Sequence, residues 1–142
     1  MFTPKNFKYL KSFRIKFNRQ KVEFRCNKLI FGSLGFKALE TGLLTRDHLK
    51  AINAYILKMI KKLNPQAKHI FRIFSQIPLS KKALEVRMGK GKGSIETYGC
   101  RILAGRVLIE FKDITIDQLK IIYNGINAKL PIKIKSIYKI FQ

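Results

Sequence analysis

The chain is short of negative charge. Its 142 residues carry 8 acidic side chains against 30 lysines and arginines. Those carboxylates are few and dispersed, so no pair is set for acid–base catalysis. Cysteine is almost absent too: Cys26 and Cys100 are the whole supply. Two cysteines do not make a disulfide framework, and the reading is two reduced, largely buried thiols. His48 and His69 are the only histidines, and with the cysteines they are scattered. A zinc site draws on ligands in close sequence pairs, so no metal is expected, and no other cofactor. There is no tryptophan. No apolar run approaches the roughly twenty residues that span a bilayer, so no membrane insertion is expected.

What is present is positive charge. The formal net charge is +22, far beyond what solubility requires. A free chain with that field repels itself, so an anionic partner should neutralise it. Polyphosphate backbone is the leading candidate. A cationic membrane-surface role, or binding to another polyanion, is the alternative. With 46% hydrophobic residues, residues 1–142 suit a single domain with a modest core. Heavy use of Ile, Lys, Phe and Asn fits an AT-rich genome.

The first thirty residues hold nine Lys or Arg against one acid, Glu23. Within a basic extension over 1–20, Lys5, Lys8, Lys11 and Arg14 alternate with Phe7, Tyr9, Phe13 and Phe17. Such a segment suits amphipathic targeting or ordering against RNA. Residues 21–31 predict a strand, and Phe36–Glu40 another. Thr45 predicts a helix N-cap. Behind it Leu49, Ile52, Ile56, Met59, Ile60 and Leu63 recur at helical steps, predicting a helix over 46–63. Asp47 suits its first turn, and Lys58, Lys61 and Lys62 its last. Residues 68–74 read as a strand, with Pro78 breaking the run. A short strand over 84–88 feeds the next loop. Two strands over 94–103 and 106–111 follow, joined by a turn at Ala104-Gly105. Thr115 opens a second helix with Gln118 at the capping-box position, and Leu119, Ile122 and Ile126 form its apolar stripe. Residues 132–137 alternate as a half-exposed strand. The class is α+β: two helices packed on one face of a mainly antiparallel or mixed sheet, with a basic N-terminal extension and a long Gly-Lys loop.

That loop, over 84–95, holds Arg87-Met88-Gly89-Lys90-Gly91-Lys92-Gly93. A nucleotide-hydrolase phosphate loop needs Gly-Lys followed directly by Ser or Thr; here each Lys precedes a Gly, and a strand follows instead of a helix. The other reading is a loop that enters folded nucleic acid. Its glycines bring backbone N–H groups close to phosphates, Lys90 and Lys92 add point charges, and Arg87 adds a planar fork. An ordinary basic hairpin tip is the plain alternative. No base-reading module is present, which favours recognition by shape and backbone. Glu40 and Glu85 suit pairing with basic neighbours.

A resemblance gathers these features. Arg72-Ile73-Phe74, Pro78, Lys81-Lys82 and Glu85 to Gly93 resemble the universal large-subunit ribosomal protein sixteen family, bacterial and organellar type. Phe31-Gly32 with Gly35 to Glu40 looks like its "FG.YGLQALE", and Gly42, Leu44 and Thr45 like "G.IT". Gly105 to Glu110 resembles "PG.VL.E", and Ala128 to Lys133 matches "AKLPIK". Ala83 and Ala104 depart where the family often has Pro. The resemblance implies a structural constituent of the large ribosomal subunit, not an enzyme. It implies binding of rRNA near the base of the central protuberance and the peptidyl-transferase region, beside the aminoacyl-tRNA path, with a part in translation and late subunit assembly. It implies rRNA, nearby A-site tRNA and neighbouring large-subunit proteins as partners, and no homo-oligomer. Carried over, Arg87, Met88, Gly89, Lys90, Gly91, Lys92 and Gly93 form the loop nearest RNA and tRNA. Arg72, Lys81 and Lys82 become rRNA contacts at its base, and Lys5, Lys8, Lys11 and Arg14 belong to the RNA-binding extension. Met1 to Lys5 resembles the family's "ML.PK" opening, which leaves no room for a cleavable presequence. With the composition bias, this favours a gene translated inside a mitochondrion; a plastid or AT-rich bacterium is the alternative.

Overall fold

Capping and an apolar stripe produce both helices where the sequence predicts them. In the computed structural model, which describes residues 2–6, 11–13, 16 and 20–139, α1 spans Arg46–Leu63 and α2 spans Ile116–Asn127. Thr45 accepts from the His48 N–H, and His48 Nδ1 accepts from the Thr45 N–H, so an imidazole completes the capping box. Thr115 and Gln118 make the same reciprocal pair on α2. Leu49, Ile52, Ile56 and Ile60 of α1 and Leu119, Ile122 and Ile126 of α2 are buried in one core.

Seven strands make two sheets among the described residues. β1 (Leu34–Ala38), β3 (Lys68–Phe71), β6 (Val107–Lys112) and β7 (Ile134–Tyr138) form one, in the order β3-β6-β1-β7. β2 (Gly42–Thr45), β4 (Ile77–Ser80) and β5 (Ile95–Ile102) form the other, in the order β2-β5-β4. All strand pairs are antiparallel. The α+β class therefore stands, but the single sheet is replaced by two. Helix α1 packs on β2 and β5 and against α2, while α2 reaches β7 of the other sheet.

The corrections share one cause, which is that alternation is local and pairing is not. Strands β5 and β6 are consecutive but lie in different sheets, so Ala104-Gly105 is a crossing and not a hairpin turn. The crossing is tied elsewhere: the Gly105 N–H donates to the Ala38 carbonyl, and the Val107 N–H to Cys26. Residues 21–31 form no strand, only a lone bridge at Val22 to Ala104. Strand β3 stops at Phe71. Pro78 does not break a run; it lies inside β4, an edge strand, where a missing N–H costs least. Residues 84–88 are not a strand but exposed turn. Phe2 is buried, edge-on to Phe71 at 5.0 Å, and the Ser75 hydroxyl donates to its carbonyl. The N-terminal extension thus starts inside the core.

Candidate nucleic-acid interface

β4 and β5 are antiparallel neighbours, and residues 81–94 connect them as a long loop off one sheet. The base of the loop is closed by the Lys81 N–H, which donates to the Ser94 carbonyl at 3.1 Å. Gly93 is what lets the two arms meet. A Cβ there would lie 2.5 Å from the Lys81 carbonyl oxygen. Past the base, Gly89, Lys90 and Gly91 all have positive φ, at 96°, 51° and 86°. Three successive left-handed residues reverse the chain at the tip, and Gly89 and Gly91 have open space around them.

Lysines fasten this loop to itself and to the N-terminal segment. Lys82 donates to the Gly89 carbonyl. Lys11 donates to the Lys92 carbonyl at 3.0 Å, and Lys92 donates back to the carbonyl of Ser12. Lys81 pairs with Glu96 at 3.3 Å on the surface, a contact worth little by itself. Arm and loop are therefore one basic unit. Its side chains face solvent: Leu84 is 97% exposed and Met88 99%, with Arg87 and Lys90 exposed beside them. Phe13 on the arm is exposed as well. Apolar tips among unburied cations suit base surfaces beside phosphates.

Of the sequence-predicted residues, the structure gathers Lys11, Lys81, Lys82 and Arg87 to Gly93 into this unit. Lys5 is exposed on the anchored N-terminal stretch. Lys8 and Arg14 lie outside the described residues. The Arg72 side chain is 14% exposed and paired with Glu110, which is fully buried, and it stacks on Phe31 at 5.2 Å. In the free chain it is engaged by Glu110.

Glu110 is the group that sequence reading passed over. Its Oε2 accepts from three successive backbone N–H groups, Ile30 at 3.0 Å, Phe31 at 2.7 Å and Gly32 at 2.8 Å. Its other oxygen takes Arg72. Burial pushes this carboxyl up. The Gly32 N–H, the Arg72 guanidinium and the Phe31 and Ile30 N–H groups outweigh that and hold it below its ordinary value. A lone acid inside an apolar central-strand run was the available signal. Glu40 pairs with Lys133 at 3.2 Å.

This constellation is a basic, glycine-hinged loop on a rigid α+β scaffold, with no metal-holding cluster among the described residues. A build of this kind suits contact with nucleic acid. Residues 4–137 match the family described as ribosomal protein L16p/L10e. Curated relatives called large ribosomal subunit protein uL16 are similar over nearly the whole chain. Those of Coxiella burnetii and Thioalkalivibrio sulfidiphilus are 38% and 36% identical over 133 residues, and that of Buchnera aphidicola 35%. Each alignment covers 94% of this chain and 93% of the relative. The chain belongs to the ribosomal protein L16p/L10e family. Membership makes it a structural, non-enzymatic constituent of the large ribosomal subunit that works in translation, with ribosomal RNA and ribosomal proteins as partners.

Proposed function

We propose that this chain binds large-subunit rRNA through the arm-and-loop unit, near the base of the central protuberance and the peptidyl-transferase region. The loop tip, Arg87 to Gly93, borders the aminoacyl-tRNA path, and the chain acts late in subunit assembly as a single copy. The observation that carries this reading is the exposed, glycine-reversed loop braced by Lys11 and Lys92. The brace ties the loop to the arm, and Arg87 and Lys90 stay exposed at the tip to meet an irregular phosphate surface. The Ile, Lys, Phe and Asn bias supports a mitochondrial ribosome as its location.

Chemical footprinting of large-subunit rRNA with and without the chain tests it. Protection at the central-protuberance base and the peptidyl-transferase region is expected, weakened at the tRNA-facing nucleotides by Lys90→Ala with Lys92→Ala. Sedimentation away from large subunits, or with membranes, overturns it. Cell fractionation tests the location: the chain is expected with mitochondrial ribosomes, and recovery with another ribosome population overturns that part alone.

A further inference from the structure

The chain passes between its two sheets at Arg72–Gln76 and again at Leu103–Arg106, and both passages line one groove of about 1040 Å³. Lys21, Arg101 and Arg106 line it with the rings of Phe31 and Phe74, and no carboxylate is among its described lining residues. Phe31 and Phe74 are 51% and 42% exposed. Arg106 reaches Glu23 with Nη1 at 3.6 Å, while its Nε is buried with no hydrogen-bond partner. A groove of this size admits a nucleotide or two, not an RNA duplex. Arg72 also lines the groove and already covers Phe31 at 5.2 Å, so Phe74 is the ring left for a base. Cations for phosphate and an exposed ring for a base are the two parts of a single-stranded RNA site.

We propose that this inter-sheet groove takes an extruded, single-stranded nucleotide of RNA, its base on Phe74 and its phosphate at Arg101 and Arg106. The inference rests on the RNA-binding reading above but assigns a second contact, separate from the loop. Acidic lipid is the competing occupant, and cations beside the exposed Phe74 ring favour RNA.

The test uses the full chain, an unstructured pyrimidine hexanucleotide of RNA and an RNA duplex of equal length. Phe74→Ala is expected to lower hexanucleotide affinity about tenfold, consistent with loss of one base stack, and to leave duplex affinity within about twofold. Phe74→Leu, which keeps bulk without a ring, should lower it similarly with unchanged circular dichroism. In the unsubstituted chain the hexanucleotide should shift the NMR signals of Ile73, Phe74 and Arg101. Shifts confined to 84–94, equal losses on both probes, or no loss on the hexanucleotide overturn the groove and leave the loop reading standing. Binding of phosphatidylserine vesicles lost on Phe74→Ala, with hexanucleotide binding unchanged, also overturns it. If neither RNA binds the unsubstituted chain at low salt, both readings fall.

Discussion

Replacing Glu110 by Leu tests the claim that one buried carboxylate holds the 30–32 turn against the sheet. The change leaves three backbone N–H groups without their acceptor and Arg72 without its counter-ion. Removing one partner of a buried pair costs about 3–5 kcal/mol. A chain of this length has about 7–20 kcal/mol of stability in all, so the loss is a large share of it. At roughly 2–4 °C per kcal/mol, the midpoint should fall by about 10 °C. The assay is thermal and urea unfolding followed by circular dichroism, since no tryptophan reports. The partner change Arg72→Met leaves the charge of Glu110 buried and should also destabilise. The double variant should recover part of the summed loss, because neither charge is then stranded. Simple additivity of the two single losses would refute the pairing. The pH dependence has a defined sign. The folded carboxyl titrates below its ordinary value of 4.5, so its contribution is complete above that pH and lost as pH falls through the lowered value. The Glu110→Gln variant should lack that part of the acid transition.

Other outcomes follow from the same geometry. Lys90→Ala with Lys92→Ala should weaken rRNA binding and make the salt dependence shallower by roughly one unit for each phosphate no longer neutralised, while stability moves by less than about 0.5 kcal/mol; parallel binding and salt titrations check both. Raising salt should stabilise the free chain by screening its self-repulsion, yet weaken its RNA complex, and urea midpoints beside binding curves show whether the signs oppose. Gly93→Ala should destabilise by about 1–3 kcal/mol, because its Cβ meets the Lys81 carbonyl, and amide exchange near Ser94 should rise. Thr45→Ala should cost about 1 kcal/mol by removing the α1 cap, measured by urea unfolding.

Local chemistry by itself determined both helices. Thr45 and Thr115 announce their starts, and side chains at three- and four-residue steps announce their buried faces, because caps and stripes are interactions within one helix. The charge excess and the bare Arg87 to Gly93 run likewise marked the loop before any tertiary neighbour was known. Tertiary structure alone decided strand partners and which ionic groups are spent internally. Val107 to Lys112 looks as ready to pair with the strand before it as with any other, and pairing with β1 and β3 follows only when the whole core closes. Arg72 looks like a surface cation until Glu110, far away in sequence, comes to meet it. The groove at Arg101 and Arg106 exists only because the chain crosses between two sheets. These outcomes depend on groups brought together from distant positions, whose energies exist only once the chain is folded.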